Sequence, residues 1–136
     1  MGKYGEAAVR ATKFCHDGLA SSPKEAWEQA VREIFPKSPS LQQEAGPRCA
    51  YLGLCEDGFV YGIPEGNYYH SQKGQKKNKG YTLKVLSLLR QDPSRSINTE
   101  QKLWQEVMKG EKKTPHSQMD VVLFLWNADL INKGKL

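Results

Sequence analysis

The stretch Ser22-Pro-Lys-Glu-Ala-Trp-Glu-Gln-Ala-Val-Arg-Glu-Ile-Phe-Pro36 decides the fold class. Ala26, Trp27, Ala30, Val31, Ile34 and Phe35 recur at the three- and four-residue spacing that gathers them on one side of an α-helix. Ser22 stands at the N-cap, Pro23 takes the first helical position, where a missing N–H costs nothing, and Glu25 completes a capping box. Pro36 ends the run. An amphipathic helix with its start and stop written into it predicts a helical protein, and the pattern repeats outward in both directions.

Upstream, Tyr4, Ala8, Ala11, Phe14 and Cys15 predict a helix over Lys3 to Asp17, with Gly18 as a left-handed stop. Downstream, Ser38-Pro39-Ser40 opens a short turn of helix through Ala45, and Gly46-Pro47 starts a full helix to Asp57 that buries Ala50, Tyr51, Leu54 and Cys55. Helix is predicted again over Tyr81 to Gln91 and over Thr99 to Lys109, the latter with Leu103, Trp104, Val107 and Met108 inward. The last helix begins at Ser117, with Asp120 as its capping-box partner. With Met119 and the run Val121 to Trp126 it is apolar on nearly every side, which predicts the central buried helix.

Between residues 58 and 82 the pattern changes. Gly58 to Ile63 alternates like a short strand, Pro64-Glu65-Gly66-Asn67 reads as a turn, and Tyr68 to Gly80 is polar and lysine-rich. The expected architecture is mainly α: one compact domain over residues 1–136, with five to seven helices and one short strand pair or extended loop near residues 58–82. Residues 68–80 are expected as a basic loop, whose order the residues leave open, and residues 132–136 as a tail.

Three segments share one layout: Phe14-Cys15-His16-Asp17-Gly18-Leu19, Leu54-Cys55-Glu56-Asp57-Gly58-Phe59 and Leu125-Trp126-Asn127-Ala128-Asp129-Leu130. In each, the last apolar pair of a helix precedes two polar or small residues, a turn residue and another apolar residue. This is the layout of a Schellman stop, in which the residue after the left-handed one packs back on the final turn. It needs no duplicated motif.

The chain has 136 residues, 38% of them hydrophobic, with three Trp, six Tyr and four Phe, which is too rich in aromatics for a disordered chain. Its longest apolar run, Val121 to Trp126, falls far short of the roughly 20 residues of a membrane span. No stretch reads as a targeting segment. Cys15, Cys49 and Cys55 are odd in number, contain no CxxC pair and sit in apolar surroundings, so reduced, unpaired thiols and a cytoplasmic location are expected.

Motifs for chemistry are missing. There is no GxSxG, P-loop, GxGxxG or HExxH. Of the three His and three Cys only Cys15 and His16 are close, and adjacent helical residues point about 100° apart, too far to share an ion. Neither a metal nor a cofactor is expected, and catalysis, for instance by Cys55 with His70, ranks as the third reading.

The charge carries more information. Residues 66–91 hold Lys73, Lys76, Lys77, Lys79, Lys84 and Arg90 and no acid, whereas the rest of the chain holds 14 basic and 15 acidic residues. Four of the six tyrosines, Tyr61, Tyr68, Tyr69 and Tyr81, lie in or beside this segment. Rings that stack on bases beside ammonium groups that meet phosphates suit nucleic acid. The opposing expectation is that Tyr61 and Tyr81 pack on the helices while the lysines keep a loop soluble. The favoured ligand-binding residues are Lys73, Lys76, Lys77, Lys79, Tyr68 and Tyr69, in a non-enzymatic module for nucleic acid or another polyanion. The alternative is an interaction or accessory protein that uses apolar helix faces, a homodimer included.

Two resemblances arise. Ala50-Tyr-Leu-Gly-Leu-Cys-Glu-Asp-Gly-Phe-Val-Tyr-Gly-Ile63, a basic loop, and Gly80-Tyr-Thr-Leu83 together resemble the end of a winged-helix domain. That resemblance implies a strand, a basic wing and a Tyr-x-Leu strand leading to the next helix, although residues 47–57 lack the polar side chains of a recognition helix. Pro47 to Ile63 and Ser117 to Ile131, with Leu103-Trp104 between them, are similar to a small bacterial family of uncharacterised proteins. That similarity implies a bacterial cytosolic origin and supplies no site.

Overall fold

The computed structural model describes residues 3–66, 68, 75–91 and 117–132. They form α1 (Lys3–His16), α2 (Pro23–Ile34), α3 (Pro39–Gln42), α4 (Ala45–Glu56), α5 (Gln75–Gln91) and α6 (Ser117–Asn127). The protein is mainly helical, as expected. The helix expected over Thr99 to Lys109 lies outside the described residues.

Ser22 caps α2 by accepting the Glu25 N–H at 3.2 Å, with Pro23 next in line. Ser38 does the same for the single turn of α3, accepting the Leu41 N–H at 3.4 Å. Side chains that satisfy otherwise orphaned amides fix both starts.

α6 packs against α1, α4 and α5, which makes it the central helix. Met119, Val121, Val122, Leu123, Leu125 and Trp126 are buried, and Phe124 alone among its apolar residues reaches the surface. α1 meets α6 and α2 through Ala7, Ala8 and Ala11, all fully buried. At Gly5 α1 approaches α6 closely: a Cβ there would stand 2.6 Å from Phe124 Cδ1 and 2.7 Å from the Asp120 carbonyl oxygen.

The Asp120 carboxylate is buried and accepts the Gly5 N–H at 2.8 Å, capping the first turn of α1. A second buried polar link joins α1 to α4. The Thr12 hydroxyl donates to the Ala8 carbonyl at 2.9 Å, so the Tyr51 hydroxyl 3.0 Å away donates to Thr12. The Tyr51 ring stacks on Trp27 of α2 at a centroid distance of 5.3 Å.

The three similar segments are three Schellman stops. Leu19 N–H reaches the Phe14 carbonyl, Phe59 N–H that of Leu54, and Leu130 N–H that of Leu125, each at 2.9 Å. Gly18, Gly58 and Asp129 hold the left-handed position at φ of 71°, 76° and 59°.

The expected strand at residues 58–63 is reduced to one antiparallel bridge, Val60 to Ile131. Tyr61 N–H donates to the Leu130 carbonyl and Asn132 N–H to that of Phe59, both at 2.7 Å. The segment therefore pairs with the chain that leaves α6, and Asn132, expected in the tail, belongs to that pairing.

α5 begins at Gln75, six residues before the expected start. The lysine-rich loop expected over residues 68–80 is thus helical from Gln75 onward. Glutamine and lysine are strong helix formers, which outweighs the cost of Gly80. Gly80 to Leu83 consequently lies within α5, where the winged-helix resemblance implies a strand.

Candidate functional site

The residues expected to bind a polyanion divide in the structure. Lys76, Lys77 and Lys79 lie on the N-terminal half of α5. Lys73 and Tyr69 lie outside the described residues. Tyr68 is half-buried against the core, and its hydroxyl donates to the Pro64 carbonyl at 2.5 Å. α5 buries Thr82, Val85, Leu86 and Leu89 and exposes Lys84 and Arg90. Its 17 residues include five basic ones and no carboxylate, so none of its charges finds an acidic neighbour along the helix.

Tyr61 reverses the expectation that it packs on the helices. It is 61% exposed, with its ring edge-on to His16 at 6.2 Å. The His16 ring holds the backbone here: Nε2 stands 2.7 Å from the Tyr61 carbonyl, which leaves no space for a side chain at Gly62, whose φ is +81°.

Sequence reasoning did not find a cleft of about 420 Å³ between α2, α3 and the start of α4. Trp27 and Val31 give it an apolar wall, and Arg32, Arg48, Gln42 and Gln43 give it polar edges. Arg32 Nε donates to the Glu28 carbonyl at 3.2 Å, and Arg48 stands 3.9 Å from the Glu28 carboxylate. The Trp27 indole N–H is buried and has no hydrogen-bond partner among the described residues. Arg32 is exposed on α2, and the placement of α3 beside α2 sets it at the edge of a concavity.

The thiols show no sign of activation. No disulfide joins them; Cys49 and Cys55 are buried and Cys15 is half-buried. Burial pushes the Cys55 thiol far up and raises Cys15 as well, which keeps both protonated at neutral pH. Burial also pushes the Tyr51 hydroxyl well up, with Cys55 adding to the effect. His70, weighed as a partner for Cys55, lies outside the described residues. Among the described residues no group of three or more His, Cys, Asp or Glu could hold a metal ion, and no helix is long and apolar enough to cross a membrane.

A model of one protein family, described as a family of unknown function, matches residues 1–132. The chain belongs to this family, DUF6979. For this DUF6979 chain no curated protein and no solved structure matches. Its site therefore has to be argued from its own residues. The described residues of this DUF6979 member include the basic, acid-free α5 and the cleft beside α3.

Proposed function

We propose that the protein is a non-enzymatic binding module for a polyanion, nucleic acid foremost, acting through residues 66–91. One observation carries the reading: α5 gathers five basic residues and no acid in 17 residues, while its apolar side is consumed by the core. Solubility alone does not require a surplus of charge in one segment of an otherwise balanced chain. Lysine contacts to phosphate position a nucleic acid without reading its sequence, so binding is expected to be sequence-tolerant.

The apolar-face alternative has less support. The large apolar side chains exposed among the described residues are Leu19, Leu41, Tyr61 and Phe124. Phe124 lies over Gly5 and the Leu41 carbonyl accepts from Tyr4, at the start of α1, whereas Leu19 and Tyr61 lie at its end. Divided between the two ends of a 14-residue helix, they do not make one patch.

The setting we infer is the bacterial cytoplasm. That no disulfide joins Cys15, Cys49 and Cys55 supports a reducing compartment, and the similarity of Pro47 to Ile63 and Ser117 to Ile131 to a bacterial family supports the origin. The reading is tested by fluorescence anisotropy with labelled single- and double-stranded DNA and RNA. Charge reversal at Lys76, Lys77 and Lys79 together is expected to abolish binding without unfolding the protein.

A further inference from the structure

The register of α5 bears on which polyanion the basic segment takes. We propose, resting on the reading above, that the ligand is duplex DNA and that α5 lies lengthwise in its major groove.

α5 packs against α4 and α6 and buries Thr82, Val85, Leu86 and Leu89, with Leu88 half-buried beside them. Lys84, Ser87, Arg90 and Gln91 are exposed. At about 100° per residue, Lys84 and Arg90 stand about 60° to either side of Ser87. The helical backbone carries the same register to the first turns of α5. Lys77 precedes Lys84 by about two turns, and Lys79 precedes Arg90 by about three. The basic positions therefore fall in two rows, 77 with 84 and 79 with 90. Gly80 and Ser87 follow the line between the rows, and position 76 stands at its N-terminal end.

Two cationic rows on one helix suit a groove that has phosphates along both walls. A single strand laid along α5 would meet one row and leave the other in solvent. An α-helix is about 10–12 Å across and the major groove of B-form DNA about 12 Å wide, so the helix fits between the walls. The major groove of duplex RNA is deep and narrow and does not admit it. A carboxylate in either row would face a phosphate, and α5 has none. Serine, on the line between the rows, can bond to any base edge, which keeps the binding sequence-tolerant.

The test is fluorescence anisotropy on the full chain with a labelled DNA duplex and the RNA duplex of the same sequence. A third probe is a DNA duplex whose cytosines carry a glucosylated 5-hydroxymethyl group, which fills the major groove and leaves the phosphates in place. Heparin is the grooveless polyanion. The plain DNA duplex is expected to bind, and the RNA and glucosylated duplexes to bind at least about tenfold more weakly. Netropsin, which occupies the minor groove, is expected to leave DNA binding unchanged. Lys84 and Arg90 add to the phosphate contacts of the lysines before them. Lys84→Gln and Arg90→Gln, both at exposed residues, should therefore each make the log–log salt slope shallower by about 0.9. Groove insertion is overturned if the glucosylated or RNA duplex binds as tightly as plain DNA, if netropsin competes, or if only one of the two variants changes the slope. Binding of heparin and DNA that persists in those cases leaves the polyanion reading standing. No binding to DNA, RNA or heparin at low salt overturns both.

Discussion

Asp120 on α6 accepts the backbone N–H of Gly5 on α1 at 2.8 Å, across 115 positions of sequence. The start of α1 is capped by the helix it packs against, so one carboxylate serves both its first turn and its docking onto α6. Asp120→Ala leaves a buried amide without an acceptor and should cost about 2 kcal/mol in chemical denaturation. Asp120→Asn, which keeps an acceptor oxygen, should cost less. Equal losses in the two variants would mean that the bond contributes nothing.

Gly5→Ala would stabilise an isolated helix by about 1 kcal/mol. Here the added Cβ meets the Phe124 ring and the Asp120 carbonyl, and the sign is expected to reverse, with a loss of about 1–3 kcal/mol. Pairing it with Phe124→Ala should recover only part of that loss, because the backbone contact remains. A double-mutant cycle by denaturant titration measures both terms.

Much of this fold is legible in the sequence because local rules govern it. The caps at Ser22 and Ser38 and the three Schellman stops use residues adjacent in sequence, and all are where the spacing places them. The bond from Gly5 to Asp120 could not be read, because its partners lie at opposite ends of the chain. The same holds for the strand at residues 58–63, whose partner Ile131 is far along the chain. For the start of α5, glycine and charge spoke for a loop while propensity spoke for helix, and helix prevailed. The cleft could not be read at all, since a concavity exists only once α3 is set beside α2.

Gly18 isolates the backbone term of a Schellman stop. Its φ is +71° and nothing stands within 4 Å of where a Cβ would be, so a side chain there meets no steric obstacle. Gly18→Ala should therefore lose about 1 kcal/mol from the left-handed conformation alone. Gly18→Asn should lose less, as Asp129 in the same position of α6 suggests. Thermal unfolding of the two variants checks the ranking, and an alanine variant as stable as the parent would contradict it.

Burial raises the Cys15 thiol above its ordinary value. Only the thiolate is alkylated, and a raised pKa leaves less of it at any given pH. Native-state modification of Cys15 by iodoacetamide should be slow at pH 8 and should still be rising where an ordinary thiol, with a pKa of about 8.5, has levelled off. Cys49 and Cys55, both buried, should stay unmodified until denaturant is added, when mass spectrometry should count three free thiols. A single free thiol in denaturant would overturn the reading of a reducing compartment.

The central claim, that the acid-free basic segment meets a polyanion, is tested most directly by the salt dependence of binding to labelled duplex DNA. If Lys73, Lys76, Lys77 and Lys79 each meet one phosphate, log affinity should fall against log salt with a slope of about −3.6. Lys76→Glu, Lys77→Glu and Lys79→Glu in one chain should remove the binding altogether, with the helical circular dichroism unchanged. No binding at low salt to duplex or single-stranded DNA or RNA, or binding whose affinity does not vary with salt, would contradict the claim.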